Sequence, residues 1–525
     1  RITRLASPFL SSTLARASRR RARPPFAASR ARSRGGRAID GGGGTQAGVT
    51  IGRKFTDRDS GRAGTRVVRN RSVVCRSVVP SSVGDATRAT MVASREDEEN
   101  GVIARVHVAA RARRGSTASR ADVERHCARF VRDVKGGVDD ARADAMIDGD
   151  ERDWRSESGA FLRAHCDRVC VHEVEWFGET RPGRLLAWQF DLRARAYELC
   201  EDEPGEEVAE GEEIATYREW NLPCLDFEGA WESLIFDDEE TKSSLSRYAT
   251  AALLFGDRGV DSQLISWNRV VLLHGPPGTG KTTMCKALAQ RLSIRFNHLY
   301  SNSVLVEVNA HSLFSRWFSE SGKLVSKLFG KIQELLEDQE TLVFVLVDEV
   351  ESLAAARKSA ANGAEPSDAI RVVNALLTQL DALKKWPNAV VLTTSNITEA
   401  IDVAFVDRAD IKCYIGPPGE RARYEILRSC VNELIRCDLV QGDFPLEYAS
   451  DGDDASDASG SLRDVARACD GLSGRALRKL PFLAYSTVGS TGRCSVEHYV
   501  RAMLARAKSE IADRRRMEAS STAAA

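Results

Sequence analysis

The chain has 525 residues, 42% apolar, 29% charged and 7% aromatic, enough for about three globular units and against a wholly disordered or fibrous protein. No run of about 18 apolar residues occurs, so no membrane-spanning helix is expected. Basic and acidic residues are equal at 75 each, but residues 1–90 hold 20 Lys+Arg against four acids, leaving 55 against 71 for the remainder.

That acidic remainder disfavours a broad nucleic-acid surface, so direct nucleic-acid binding is not expected. Twelve scattered cysteines, from Cys75 to Cys494, suit reduced thiols better than a disulfide framework. Residues 1–98 read as a disordered basic leader, rich in Arg, Ser, Ala and Gly. Three readings of it stand side by side: an organellar transit peptide, a basic nucleic-acid-binding arm, or spurious sequence upstream of an initiator at Met91.

Residues 99–213 are expected to form a small α+β N-terminal domain. Its signals are a strand over Val102–Val108, a helix after the N-cap Ser119 through Val123, Cys127, Phe130 and Val131, and a strand over Leu185–Leu192. The acidic stretch Glu201–Glu213 reads as its solvated linker. His165, Cys166, Cys170 and His172 look metal-like, but their spacing matches zinc poorly and ordinary packing is expected.

Residues 214–417 alternate strands and helices, and residues 418–525 turn helical, as a lid and C-terminal tail. Val270–Leu273, Leu342–Val347 and Ala389–Thr394 are apolar runs of strand length, fit for a parallel sheet covered by helices on both faces. Val325, Leu328, Phe329, Ile332 and Leu336 recur at helical spacing and read as core. The polar Asp451–Ser461 reads as a loop insertion.

The chemistry is concentrated in Gly275-Pro276-Pro277-Gly278-Thr279-Gly280-Lys281-Thr282, which fits G-x-x-x-x-G-K-[ST] between a strand and a helix. Glycines let backbone N–H groups converge on phosphate oxygens, and the helix N-terminus adds positive potential. Lys281 would reach the β- and γ-phosphates of ATP and the Thr282 hydroxyl would ligate Mg²⁺. Met284 is counted with the nucleotide-binding residues. Asp348, at the end of the second apolar strand, is expected to hold the Mg²⁺ shell beside Thr282, and Glu349 to polarise the attacking water. Asn396 ends the third strand, either orienting that water or capping a turn. Arg408, between Asp407 and Asp410, is either a surface ion pair or an arginine finger toward a neighbouring subunit. Arg475 opens a lid helix after the N-cap Ser473 and could report the nucleotide's state, with Arg478 as competitor. Trp317-Phe318, adjacent aromatics in a polar loop, would either pack in the core or face an axial channel and grip a polypeptide. The chain carries no H-E-x-x-H, which removes a built-in zinc peptidase.

Together these residues resemble an AAA+ ATPase, with the fold of a P-loop sheet, helical lid and small N-terminal domain. More closely, the pachytene checkpoint protein 2 (thyroid receptor-interacting protein 13) family is resembled by Trp267–His274, Ser315–Lys323, Asp348–Leu353, Glu365–Arg371, Ile401–Asp410 and Gly471–Phe482. The resemblance implies a homo-hexamer that couples ATP hydrolysis to closed-to-open remodelling of HORMA-domain proteins, presented by a HORMA adaptor to residues 99–213 as the substrate- and adaptor-binding N-terminal domain. It further implies roles in the meiotic chromosome axis and spindle-checkpoint silencing, in nucleus and cytoplasm (an organelle instead if the leader is a transit peptide). It assigns nucleotide binding to Lys281 and Thr282, hydrolysis to Asp348 and Glu349, sensing to Asn396 and Arg475, and the pore loop to Trp317-Phe318. Many AAA+ proteins place two arginines in the finger region, and this stretch offers Arg408 alone. Two alternatives differ in class: a nucleic-acid motor or loader on the same core, and a nucleotide-gated scaffold that barely turns over ATP.

Overall fold

The computed structural model describes residues 101–139, 146–147, 149–178, 181–208, 215–238, 240–309, 321–352, 368–396, 403–445, 448, 457–488 and 494–524. The basic leader, Trp317, Phe318 and Glu365–Ser367 lie outside these residues.

In chain order, the first part holds β1 (Ala104–Ala112), α1 (Arg120–Arg129), β2 (Gly137–Val138), α2 (Glu151–Arg155), α3 (Glu157–His165), β3 (Cys166–Trp176), β4 (Leu185–Leu186) and β5 (Phe190–Tyr197). β1 is central, antiparallel to β3 and parallel to β5. Ser119 caps α1 by accepting from the Asp122 amide, as its position before the apolar repeat predicts. The expected strand over Leu185–Leu192 is split instead: the Gln189 amide donates to the Leu186 carbonyl at 2.8 Å, a turn that leaves Trp188 63% exposed. The metal-like cluster belongs to the α3–β3 junction, where His165 Nδ1 lies 2.9 Å from Ser116 Oγ and Cys166 and Cys170 are buried in the strand.

The second part begins with β6 (Gly205–Val208) and β7 (Ala215–Leu222), then α4 (Ala230–Ser233), α5 (Glu240–Asp257), β8 (Val270–His274), α6 (Lys281–Arg295), β9 (Asn302–Asn309), α7 (Ser321–Glu337), β10 (Thr341–Asp348), α8 (Asp368–Leu383), β11 (Ala389–Ser395), α9 (Val403–Val406) and β12 (Ile411–Tyr414). Its seven-stranded sheet runs β12-β8-β11-β10-β9-β7-β6. Five strands are parallel, the expected β8, β10 and β11 among them, and the sheet is extended at one edge by β7, antiparallel to β9, and β6, antiparallel to β7. The acidic stretch is therefore not simply linker: β6 pairs antiparallel with β7 and closes the sheet edge.

Both faces of the central strands are buried, and side-chain parity decides which element each residue meets. In β10, Leu342, Phe344 and Leu346 pack with Met284, Leu288 and Leu292 of α6, whereas Val343, Val345 and Val347 pack with Phe329 and Ile332 of α7 and Val373 and Leu376 of α8.

The third part is helical: α10 (Glu420–Arg436), β13 (Val440–Gln441), α11 (Asp457–Ala468), α12 (Gly474–Val488), β14 (Cys494–Ser495) and α13 (Val496–Ala524). Leu427, Leu462, Val465, Leu477, Tyr499 and Met503 form its own core. The polar insertion is not all loop, since α11 starts at Asp457 and buries Ser459.

Helices α4, α5 and α6 meet the N-terminal domain: Arg168 pairs with Glu232 of α4 at 3.5 Å, and Ser246 Oγ of α5 donates to Glu173 at 3.2 Å. At the far end of α6, His172 Nε2 donates to the Arg291 carbonyl at 3.1 Å, and Arg295 pairs with both Glu173 and Glu175 of β3. Beyond it, Asn297 Nδ2 donates to the Ala196 carbonyl at 2.9 Å.

Candidate active site

The site is built where β8 runs into α6. Gly275 has φ +142°, and a Cβ there would sit 2.2 Å from the Ile415 carbonyl oxygen, so the loop can leave the strand only with glycine. Thr279 Oγ1 donates to the Pro276 carbonyl at 3.0 Å, bracing the loop. Lys281 Nζ reaches back over it, donating to the Gly275 and Pro276 carbonyls at 2.9 and 2.8 Å. Burial lowers the Lys281 pKa, opposed by Glu351 and Asp348 and assisted by Arg475. Met284 is fully buried among the α6 core residues. It seats the helix and offers no surface to a ligand, which corrects its assignment to nucleotide binding.

Asp348 and Thr282 come together as the spacing implied. Thr282 Oγ1 lies 3.1 and 3.2 Å from the two carboxylate oxygens of Asp348. A hydroxyl and a carboxylate side by side at a phosphate loop are hard oxygen donors, a set that fits Mg²⁺. Sequence reading missed the third member: Thr394 Oγ1 donates to Asp348 Oδ1, and the Glu349 amide donates to Thr394 Oγ1 at 3.3 Å. The signal was available, because hydroxyl residues at the end of a buried apolar strand need hydrogen-bond partners.

Glu349 is exposed and has φ +61°, a backbone state uncommon outside glycine. Asn396 Nδ2 donates to Glu351 Oε1 at 2.9 Å, so the described amide faces the second glutamate after Asp348 rather than a turn backbone. Arg408 pairs with neither Asp407 nor Asp410. Its guanidinium grips Asp381 of α8 with contacts of 2.7–3.1 Å, and Nη1 donates to the Ala404 carbonyl at 2.7 Å. Asp410 instead ties the chain before β8, accepting from Tyr248, Asn268 and the Arg269 amide.

The lid reaches the site directly. The Arg475 amide donates to the Gly278 carbonyl at 3.1 Å, and Ser473 Oγ accepts weakly from Ala476 N at 3.4 Å as the expected cap. Arg478, its competitor, donates to the Ser233 carbonyl beside α4. Asp237 accepts from the amides of Gly419 and Ala422 at 2.5 and 3.0 Å, capping α10 across the junction.

Known proteins bear on this geometry. The model of the ATPase family associated with various cellular activities (AAA) matches residues 271–417, and that of the TRIP13-like AAA+ ATPase lid C-terminal domain matches residues 419–511. Curated relatives named pachytene checkpoint protein 2 homolog include one from Oryza sativa subsp. indica, 53% identical over 68% of this chain and 79% of its own length. Others are from Xenopus tropicalis, 46% identical over 76% and 91%, and Homo sapiens, 48% identical over 70% and 86%. Among solved structures, C. elegans PCH-2 matches with a TM-score of 0.63 and 33% identity, over 78% of this chain and 99% of that one.

Proposed function

Given that the chain belongs to the pachytene checkpoint protein 2 family of AAA+ ATPases and is an ATP hydrolase, we propose that it assembles as a homo-hexamer that remodels HORMA-domain proteins, closed to open, with a HORMA adaptor. The observation that carries this reading is mechanical. The Gly278 carbonyl of the phosphate loop bonds the first turn of a lid helix, and the helix that the loop opens, α6, ends in the ion pairs with N-terminal strand β3. A change at the phosphates therefore has short paths to the lid and to the domain that would receive a client.

In this reading the loop amides and the α6 N-terminus hold the phosphates of ATP, and Lys281 trades its loop carbonyls for phosphate oxygens. Thr282 and Asp348 would hold Mg²⁺, which when bound neutralises phosphate charge. Glu349, exposed at the strand end, accepts the proton of the attacking water. Asn396 orients that water, Arg475 couples the nucleotide to the lid, and Arg408 serves the neighbouring subunit's site. Trp317 and Phe318 grip the client. The chain works in nucleus and cytoplasm, in meiotic axis remodelling and checkpoint silencing.

Two substitutions test the proposal. Glu349→Gln should slow hydrolysis by about 10²–10⁴-fold and trap ATP-bound rings, read by phosphate release and light scattering. Trp317→Ala should keep hydrolysis within about threefold and abolish conversion of a closed HORMA protein. A Trp317 variant that still converts its client sinks the threading mechanism.

A further inference from the structure

We propose that Thr394 is a positioning residue for ATP hydrolysis: its one hydroxyl ties the Asp348 carboxylate to the Glu349 backbone, keeping the two acids on separate tasks.

The placement follows from register. β10 and β11 pair in parallel, and their last pair is Val347 with Thr393. One step further puts Asp348 beside Thr394, and by parity both point to the α6 face, where Leu346 and Leu392 already pack. Thr394 is 1% exposed, so its hydroxyl must be satisfied within the protein. It is satisfied twice, since its proton goes to Asp348 Oδ1 and it accepts from the Glu349 amide.

The second bond matters because of Glu349's backbone. A left-handed non-glycine residue costs about 1–2 kcal/mol and persists only where its surroundings impose it. Here Thr394 imposes it with side chain and main chain together, for the Val350 amide also donates to the Thr394 carbonyl at 3.0 Å. Asp348 has a second hydroxyl partner in Thr282, but that one sits on the phosphate-loop helix and is needed for Mg²⁺. The Thr394 contact comes from the sheet and does not depend on the loop. Neighbouring Thr393 makes the contrast: equally buried, it donates to the Val271 carbonyl at 2.9 Å and touches neither acid.

The inference rests on the assignment of Asp348 and Glu349 to hydrolysis. The experiment compares full-length Thr394→Val, Thr394→Ser and Thr393→Val with the parent, measuring kcat, KM for ATP, thermal midpoint and Mn²⁺ affinity in the presence of ADP by electron paramagnetic resonance. Thr394→Val should lower kcat by about 10–100-fold and weaken Mn²⁺ binding by a similar factor. Its KM should stay within about threefold. Thr394→Ser should recover most of both losses, and Thr393→Val should lower the thermal midpoint while leaving kcat intact. The inference is overturned if Thr394→Val keeps kcat and Mn²⁺ affinity within about twofold, or if serine is as impaired as valine. Should valine prevent folding, Thr394→Ala against Thr394→Ser separates the same two outcomes. Hydrolysis at parental rate by Glu349→Gln would instead remove the assignment beneath it, a distinguishable failure.

Discussion

Gly278 and Gly330 show how one substitution can act with opposite signs. Gly278 has φ +79°, and a Cβ there would lie 2.9 Å from Ser473 Oγ and 3.2 Å from Arg475 Cβ, both on the lid. Gly278→Ala should therefore cost about 1–2 kcal/mol in backbone strain. It should also push the lid helix off the phosphate loop, raising the dissociation constant of a fluorescent ATP analogue. Gly330, within α7, has nothing within 4 Å of its missing Cβ. Gly330→Ala should stabilise by about 0.5–1 kcal/mol through helix propensity and leave nucleotide binding unchanged. Arg408 shows a related dependence on partners: its local sequence offers Asp407 and Asp410, yet the fold gives it Asp381.

At the scale of elements, α6 is the joint. Its N-terminus is the phosphate loop, and its C-terminus meets β3 through His172 and the Arg295 ion pairs, beside buried His107 of β1. Burial and the charge of Arg291 hold His172 well below the ordinary pKa, and burial with the charge of Arg295 lowers His107, opposed by Glu175 and Glu173. The unfolded chain binds protons at these positions near pH 6.5, more tightly than the fold does. Their contribution to stability is complete above about pH 6.5 and is lost progressively as pH falls below it, by at most about 1.4 kcal/mol per histidine per pH unit. Thermal unfolding followed from pH 7.5 to 5 should show that decline. His172→Asn should start lower, having lost the Arg291 bond, and decline less steeply. An unchanged slope would show that His172 does not titrate with unfolding.

For the whole molecule, the core around the sheet and the core of the lid are separate clusters among the described residues, and the joint between them decides how the lid follows nucleotide. Asp237, from the segment after α4, caps α10 across it. Asp237→Ala should cost about 1 kcal/mol as a lost helix cap. It should raise KM for ATP more than it lowers kcat, because the lid is less well held while the catalytic acids stay in place. Steady-state kinetics with a thermal midpoint checks both, and a pure kcat loss would contradict it.

The sequence alone determined whatever depends on neighbours along the chain. Strand, glycine loop and helix are contiguous, so the phosphate loop and the placement of Thr282 follow from local geometry, as do the apolar strands and the α7 stripe. Asp348 was legible because a carboxylate ending a buried strand contradicts that strand's composition. The tertiary structure decided what depends on residues far apart. Thr394 reaches Asp348 across 46 positions through strand register, Arg408 turns to Asp381 across 27, and acidic β6 becomes a strand because β7 presents an open edge. Burial overruled the assignment of Met284 for the same reason: which face of α6 meets the sheet is set by packing, and periodicity reveals that a face exists without saying what covers it.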